Sequence, residues 1–383
     1  MENSRSKILI FIDWYLPGYK AGGPVTSMAN MVEHLKHWFQ FYIITRNTEY
    51  MESKPYSDVN TNCWNEIDSG VFVYYCSEPA ISFRKWAELI QERDYTKIYI
   101  NGIYSWKFSI LPLLVARLMK MKNVIVAPRG MLASSAIAIK GGKKRLFLKL
   151  MHLLSLYKYV SWHTTNPKEA DEVRKQLKVK SEIVIASNLS RKIADHFQPL
   201  EKQTNELKIC SLARVAPEKN TLFAVQCLMN IPPHIKLEFN IYGQIYNQEY
   251  WTQCQKTIEI LPANIKVHHQ GTIPPHEVPA ILMDHHLLFL PSRGENFGHV
   301  IMESFMVGRP VLISDQTPWR NLERQQAGWD LSLSDPSSST KVLTQMGEME
   351  QSEFDRWCNG SFQLALKYND SSLIEKYMMM FGN

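Results

Sequence analysis

Short runs of apolar residues recur along most of the chain, and segments with helical spacing lie between many of them. Such runs are typical of strands that are buried on both faces, as in a parallel sheet. Strands that alternate with helices predict a doubly wound α/β fold, in which ligands bind at the carboxyl ends of the strands. The predicted strands are KILIFID (7–13), FYIIT (41–45), VFVYY (71–75), KIYIN (97–101), NVIVAPRG (123–130), EIVIASNLS (182–190), LKICSL (207–212), KLEFNIYG (236–243), IKVHHQ (265–270), LLFL (287–290) and VLIS (311–314). Residues 47–70 are predicted to form a loop. Residues 160–177 predict a strand and then a helix that is capped near Thr165 or Asn166, with Pro167 at its first position.

The length of 383 residues is more than one hydrophobic core usually serves, so we expect two domains. Residues 191–206 are polar and contain a proline, which predicts a linker between a first domain (1–190) and a second (207–358). Residues 359–383 predict a terminal helix that could pack back on the first domain. The six cysteines are widely spread without a C-x-x-C pair, which indicates a reducing cytoplasm rather than disulfides or zinc. We find neither a signal-peptide pattern nor an apolar run of the ~20 residues that span a bilayer.

The segment 290–315, LPSRGENFGHVIMESFMVGRPVLISD, predicts a strand end, a loop, a helix and a further strand. The helix should begin near Gly298 and end at about Val307, because Gly308 and Pro310 stop it. Its positive N-terminal end would lie at the mouth of the parallel sheet, which favours a phosphate there.

Two carboxylates, Glu295 and Glu303, lie close to this predicted anion site. A carboxylate repels an anion but is a strong acceptor for the two hydroxyls of a vicinal diol. Either glutamate alone would be interpreted as a solvated residue. Together with Gly294, Phe297 and Gly298, the pair predicts a sugar-binding loop.

A second loop carries two cations. The strand at 207–212 delivers Arg214 and Lys219 to a loop that precedes a helix at about 221–229. Cationic side chains in this position can clamp a diphosphate, although arginine and lysine are also common on ordinary loops.

In the first domain, Gly22 and Gly23 lie between the first strand and a helix predicted over 26–37. Glycine before a helix permits close approach of a ligand, and a plain tight turn is an equal alternative. Neither G-x-G-x-x-G nor a P-loop is present. The predicted rim of this sheet comprises Asp13, Gly22, Asn101, Gly102, Arg129 and Gly130.

The motif Glu-Asn-Phe-Gly-(four residues)-Glu, followed by Gly-Arg-Pro-Val, resembles the donor-site signature of the retaining nucleotide-sugar glycosyltransferases of family 4. The string S-L-A-R-(four residues)-K-N is similar to their diphosphate motif. The resemblance implies a GT-B fold, with two Rossmann-like domains facing a cleft. It also implies that the first domain binds a glycan or lipid-linked acceptor and that the second binds the nucleotide-sugar donor.

The resemblance also implies a role for each site residue. Glu303 binds the ribose, Glu295 faces the transferred sugar, and Arg214 and Lys219 stabilise the departing diphosphate. The implied donor contacts are Gly22, Gly23, Asn296, Phe297, Gly298, His299, Val300 and Glu303. The family commonly has a histidine where this chain has Pro128-Arg129-Gly130, so Arg129 becomes a candidate for acceptor or sugar contact.

No cofactor or metal is expected, because the sequence has no D-x-D motif and the neighbouring His268 and His269 would point to opposite faces of a strand. Residues 140–160 form a basic amphipathic segment that fits an anionic membrane surface, or else a helix packed on its own sheet. We therefore expect a cytoplasmic protein, with peripheral contact to the inner face of the membrane as one interpretation, and no nucleic-acid partner. A glycosyltransferase of polysaccharide synthesis is the main hypothesis. A nucleotide-sugar 2-epimerase and a non-catalytic nucleotide-sugar-binding partner are the alternatives.

Overall fold

The computed structural model describes residues 5–133, 141–179, 181–191, 196–368 and 371–382. The chain divides into two compact units, a first unit of residues 1–189 with 371–383 and a second unit of residues 190–370. Each has its own sheet, in which the strands are mainly parallel as the sequence predicts, and the α/β prediction with two Rossmann-like domains is confirmed.

The first unit is built on an eight-stranded sheet of order β3-β4-β2-β1-β5-β6-β7-β8, in which only the β3–β4 pair is antiparallel. After β1 the chain builds one half of the sheet, and then crosses back to begin the other half with β5. The switch point is therefore between β1 and β5. The elements of the first unit are β1 (Ser6–Phe11), α1 (Gly23–Leu35), β2 (Phe39–Arg46), β3 (Trp64–Asp68), β4 (Val71–Cys76), α2 (Phe83–Gln91), β5 (Lys97–Asn101), a π-helical turn (Trp106–Ile110), α3 (Leu111–Leu118), β6 (Val124–Ala127), α4 (Gly141–Leu153), β7 (Ser161–Thr164), α5 (Pro167–Leu177) and β8 (Ile183–Ile185). A helix from the end of the chain, Ser371–Gly382, also belongs to this unit.

The prediction that residues 47–70 form a loop is wrong at its end, where β3 pairs with β4. This strand, WNEID, lies at the sheet edge with its last three residues exposed, so it lacks the apolar composition that marks the other strands. By contrast, Asn166 caps α5 by accepting from the Glu169 N–H at 2.9 Å, and Pro167 follows it, as the sequence predicts.

The second unit has a six-stranded, wholly parallel sheet of order β11-β10-β9-β12-β13-β14. Here the switch point is between β9 and β12. The elements are β9 (Glu206–Leu212), α6 (Thr221–Gln226), β10 (Lys236–Tyr242), α7 (Gln248–Ile258), β11 (Ile265–Gly271), α8 (Val278–Met283), β12 (Leu287–Leu290), α9 (His299–Met306), β13 (Val311–Ser314), β14 (Gly328–Leu331), α10 (Pro336–Glu348) and α11 (Gln351–Tyr368), and the helix Ser371–Gly382 of the first unit follows as α12.

The described part of the predicted linker packs within the second unit. The Phe197 ring lies where a Cβ on Gly308 would be, at 2.5 Å. The buried Lys202 ammonium donates to the carbonyls of Gln203 at 2.8 Å and Gly347 at 3.0 Å. The unit boundary near the carboxyl end falls at 370/371, whereas the sequence placed it at 358/359.

Candidate functional site

The candidate site lies at the switch point of the second unit. Because β9 and β12 are parallel neighbours, the loops that follow them, 213–220 and 291–298, leave the same edge of the sheet. A backbone hydrogen bond of 2.9 Å from the Arg293 N–H to the Glu218 carbonyl joins the two loops. The loop 213–220, which carries Arg214 and Lys219, and the loop 291–298, which carries Glu295, are thus brought together.

Lys219 and Glu295 form the centre of this arrangement. The Lys219 ammonium lies 2.6 Å from Glu295 Oε1, and the Ser292 hydroxyl donates to the same oxygen at 2.6 Å. The two side chains are only 20% and 13% exposed, so the pair is poorly screened by water. Both groups are therefore held in fixed positions before any ligand arrives.

Arg214 is oriented by an aromatic ring. Its guanidinium carbon lies 4.7 Å from the centre of the Tyr246 ring, and Glu218 Oε1 forms an ion pair with its Nη2 at 3.7 Å. A stacked, partly exposed guanidinium can still present N–H groups to a phosphate. Tyr246 is positioned by the backbone bridge between Val215 and Ile245.

The glutamate loop ends in a backbone conformation that suits glycine. Gly298 has φ +77° and precedes the first residue of α9, so the chain turns directly from the loop into the helix. The positive end of the α9 dipole therefore points toward the loop that carries Glu295.

Phe297 supports the loop from below. Its ring is buried and lies 5.6 Å from the Trp319 ring and 5.8 Å from the Tyr368 ring. Its carbonyl accepts from the Trp319 indole N–H at 2.6 Å. The Phe297 side chain and carbonyl thus make contacts within the protein. The His299 ring also packs against Phe297, with 4.8 Å between the two ring centres.

Glu303 lies on the second turn of α9 and is 13% exposed. The Arg191 Nε lies 3.4 Å from its Oε1, and the same guanidinium donates through Nη1 to the Pro275 carbonyl at 3.1 Å. Burial raises the pKa of Glu303, and Arg191 opposes that shift only in part.

We expect Glu303→Gln to be at least as stable as the wild-type protein at pH 7. The raised pKa means that ionised Glu303 weakens the fold as the pH rises above the ordinary glutamate value, and glutamine removes that cost. The difference in melting temperature should shrink as the pH falls to about 4, where glutamate is protonated in the unfolded chain as well. A less stable variant at pH 7 would show that the pairing with Arg191 outweighs burial.

Of the residues predicted in the first unit, Gly22 and Gly23 lie on an exposed loop at the start of α1. Gly22 has φ +75° and ψ −135°, which is strained for any other residue, and a Cβ there would meet nothing within 4 Å. The space beside this loop is open to a ligand.

Arg129 is held by a hydrogen-bond network inside the first unit. Its guanidinium donates to Asn101 at 2.8 Å, to Asn188 at 2.6 Å and to the Tyr99 hydroxyl at 2.8 Å. Tyr99 in turn lies 2.6 Å from His163 Nδ1, while His163 Nε2 lies 2.9 Å from the Ala186 carbonyl. A carbonyl only accepts, so the His163 proton is on Nε2 and Tyr99 donates to Nδ1.

The histidine in this network is uncharged. Burial and then the Arg129 charge lower the pKa of His163 to about 3, so it is neutral at physiological pH. The network explains how Arg129 is positioned. It leaves only part of the guanidinium for a ligand.

We expect Tyr99→Phe to lower the free energy of unfolding by about 2 to 3 kcal/mol, because one hydroxyl serves two buried partners. Tyr75→Phe is the control, since the Tyr75 hydroxyl makes one hydrogen bond of 2.8 Å, to the Leu16 carbonyl. Urea unfolding of the three proteins would measure the difference. An equal loss of unfolding free energy in both variants would contradict the role of the Tyr99 hydroxyl in joining Arg129 to His163.

Asp13 also lies where the carboxyl ends of the strands of the first sheet meet. Its Oδ1 accepts from the Ser105 hydroxyl at 2.8 Å and from Arg46 at 3.2 Å. Burial raises the pKa of Asp13 although both contacts lower it. Asp13 follows β1 and Asn101 ends β5, the two strands that flank the switch point of this unit, so both lie on the edge that the sequence predicted.

No group of three or more histidine, cysteine, aspartate or glutamate residues that could hold a metal ion occurs in the described ranges. Two histidines of the second unit have protein partners. His269 Nε2 lies 2.8 Å from the Gly243 carbonyl, and His285 Nδ1 lies 2.6 Å from the Ile281 carbonyl.

Sequence reasoning missed three residues that shape the site. Tyr246 and Trp319 lie outside every motif, and only the aromatic residue type could have drawn attention to them. Arg191 was assigned to the linker, although a cation just before the second sheet is a visible signal. These residues reach the site by tertiary packing, which the spacing of motifs does not encode.

Residues 192–338 match the family model described as Glycosyl transferases group 1. The match includes both site loops and supports a group 1 glycosyl transferase. No curated protein matches the chain. The described residues include no helix that is both long and apolar enough to cross a bilayer.

Several solved structures have the same fold. HepE from Anabaena, in complex with UDP and glucose, is 12% identical with a TM-score of 0.68, and the match covers 98% of both chains. Sucrose-phosphate synthase from Thermosynechococcus elongatus is 14% identical with a TM-score of 0.73 over 98% of both chains. WaaG, a glycosyltransferase involved in lipopolysaccharide biosynthesis, is 12% identical with a TM-score of 0.66, over 98% of this chain and 100% of WaaG. At these identities the likeness shows the fold, which is that of GT-B glycosyltransferases.

Proposed function

We propose that the protein transfers a sugar from a nucleoside-diphosphate sugar to a glycan or lipid-linked acceptor, with retention of the anomeric configuration, in cell-surface polysaccharide synthesis. The observation that carries the proposal is the preformed Lys219–Glu295 pair at the edge between β9 and β12. It lies inside the segment that matches the group 1 glycosyl transferases.

Arg214 and Lys219 bind the diphosphate. The stacking of Arg214 on Tyr246 and the pairing of Lys219 with Glu295 reduce the entropy that each side chain loses on binding. Together with the positive end of α9, they supply the charge that a divalent metal would otherwise contribute.

Glu295 accepts hydrogen bonds from the transferred sugar, and Glu303 from the ribose. Glu295 has one oxygen committed to Lys219 and Ser292, which leaves its other oxygen to accept a sugar hydroxyl. Among the residues that the structure describes, Arg191 is the one charged partner of Glu303, so a diol that displaces or joins Arg191 gains a strong acceptor. Asn296, Gly298, His299 and Val300 contribute donor contacts from the same loop and helix start.

In the transfer step the bond between the anomeric carbon and the diphosphate oxygen breaks, and a bond forms between that carbon and an acceptor hydroxyl oxygen. The hydroxyl proton passes to the departing diphosphate. Negative charge develops on the leaving group as the first bond breaks. Arg214 and Lys219 stabilise that charge, which is commonly the largest catalytic contribution of such a site.

The acceptor is assigned to the first unit, at the carboxyl edge of the sheet where Asp13 lies. Gly22 and Gly23, whose loop is open, are assigned to donor contact, as the resemblance implies. Arg129 contacts the acceptor or the sugar only through the N–H groups that Asn101, Asn188 and Tyr99 leave over. A cytoplasmic location is consistent with the six free cysteines, five of them buried.

UDP is the first nucleotide to test, because the solved structure of HepE contains it. Release of UDP from a panel of UDP-sugars, with bacterial polysaccharide and lipid extracts as acceptor sources, would test the transfer, in parallel with GDP-, ADP- and CMP-linked donors. We expect release with one of the diphosphate-linked donors and no inhibition by EDTA. The anomeric proton coupling in the NMR spectrum of the product would then test retention.

The same assay separates the alternatives. A 2-epimerase would convert the donor sugar without an acceptor and give an isomeric sugar beside the free nucleotide. A non-catalytic partner would bind the nucleotide and release nothing from any donor. Either result would contradict the proposed transfer.

A further inference from the structure

The net positive charge of the chain comes from one stretch. Residues 95–168 contain thirteen lysine and arginine residues and no aspartate or glutamate. The whole chain has 43 basic and 37 acidic residues, so the remainder has 30 basic and 37 acidic residues. The acid-free stretch forms the half of the first unit that runs from β5 to β7.

Within this stretch, α4 has two apolar faces. Its inner face packs into the core through Leu148 and Met151, which are 6% and 7% exposed. The outer face is made of leucines that remain 46% to 79% exposed. Soluble proteins rarely leave such a group of neighbouring apolar side chains exposed to water. These are Leu146, Leu150, Leu153 and, just beyond the helix, Leu154, with the spacing of one helical stripe.

The end of α3 adjoins this outer face. The Arg117 guanidinium donates to the Leu154 carbonyl, and Leu118 beside it is 68% exposed. A crevice of about 430 Å³ lies nearby, between residues 113–124 and residues 156–160, which follow α4. Apolar side chains such as Met121 and Leu156 line it together with the cations Arg117, Lys120 and Lys122.

We propose that this face, formed by the outer leucines of α4, Leu118 and the cations around them, docks on the surface of an anionic lipid bilayer. The leucines would enter the boundary between headgroups and acyl chains, and Lys120, Lys122 and Lys149, all exposed, would lie at the level of the lipid phosphates. The crevice, apolar with a cationic rim, accepts an acyl chain beside its phosphate.

The combination of leucines and lysines favours a bilayer over other anionic partners. Nucleic acid is bound by cations with hydrogen-bonding or stacking side chains, and exposed leucines add nothing to such a contact. A second copy of the chain would bring the same cations together, which is repulsive. The inference goes beyond the proposed transfer reaction, because no donor-site residue takes part.

Sedimentation of the full-length protein with lipid vesicles tests the proposal. We expect binding to phosphatidylcholine vesicles that contain phosphatidylglycerol, weaker binding in high salt, and little binding to phosphatidylcholine alone. Lys120→Gln with Lys122→Gln should weaken binding roughly thirty-fold, since each basic residue at an anionic surface contributes about 1 kcal/mol. Leu153→Gln with Leu154→Gln should weaken it at least about ten-fold.

Lys256→Gln with Lys266→Gln, two exposed lysines of the second unit, is the matched control and should bind like the wild type. Nucleotide-induced thermal stabilisation of each variant is a separate readout, so a failure of vesicle binding is distinguishable from a failure of the proposed function. The proposal is overturned if anionic vesicles are not bound, or if all three double variants bind equally. It is also overturned if the leucine variant loses self-association in sedimentation velocity instead of vesicle binding.

Discussion

Lys219→Ala is expected to reduce the rate of sugar transfer at saturating donor by at least about 100-fold. The ammonium is the partly buried cation that we assign to the departing diphosphate, and the loss of one such preorganised donor commonly costs two to three orders of magnitude. The substitution also leaves the Glu295 carboxylate without its cation, so it would repel the developing charge. Turnover at saturating donor, by nucleotide release, is the measurement.

Lys208→Ala is the control for this prediction. Lys208 also pairs with a carboxylate in the second unit, Asp284, but at the surface and away from the site loops. We expect its turnover to be unchanged. A Lys219→Ala enzyme within about three-fold of wild type would contradict the assigned role.

A double variant separates two roles of Glu295, which are to hold Lys219 and to contact the sugar. If Glu295 contributes only by holding Lys219, then Glu295→Ala added to Lys219→Ala should cost nothing further. If Glu295 also contacts the sugar, the double variant should lose more than Lys219→Ala alone, and the interaction energy from the cycle measures the coupling.

Gly243→Ala is expected to cost roughly 3 kcal/mol or more in folding free energy and to abolish donor binding. Gly243 follows β10 with φ +149°, and a Cβ there would lie 2.0 Å from the Ala213 carbonyl oxygen. That contact is with backbone and cannot be relieved by a side-chain rotation, so the 213–220 loop would have to move together with Arg214.

Gly271→Ala is the matched control, because Gly271 also has a positive φ, +77°, but a Cβ there meets nothing within 4 Å. We expect it to lose only the cost of the left-handed conformation, about 1 kcal/mol. Urea unfolding and nucleotide binding of both variants would measure this. Similar behaviour of the two would show that the close approach at Gly243 does not position the site.

The predictable part of the fold is the part that depends on local pattern. The buried strands β9, β10, β12 and β13 are each predicted within about a residue, because they are nearly continuous apolar runs between strong turn signals. The edge strand β3 was missed, since half of its side chains face water and its sequence is polar. The helix α10 begins at Pro336, inside a serine-rich segment, because Asp335 caps it through the Ser337 N–H.

The candidate site was predictable where motif and topology coincide. Lys219 and Glu295 are 76 residues apart, yet both follow strands that meet at the switch point, and the structure brings their charged atoms within 2.6 Å. The supporting contacts were not predictable. The ring of Tyr246 under Arg214 and the indole of Trp319 on the Phe297 carbonyl depend on side-chain packing between distant loops. The Arg129 network likewise joins residues that lie on or just after four strands of the first sheet, β5 to β8.

Calorimetric titration of the protein with UDP, and with GDP, ADP and CMP in parallel, tests the central claim most directly. We expect one nucleoside diphosphate to bind in the presence of EDTA, whereas CMP, which has a single phosphate, should not. Arg214→Ala, Lys219→Ala and Glu303→Ala should each weaken that binding at least about ten-fold, and Lys208→Ala should not. If no nucleotide binds, or if the bound nucleotide is indifferent to all three site substitutions, the β9–β12 edge of the second unit is not a nucleotide-sugar site.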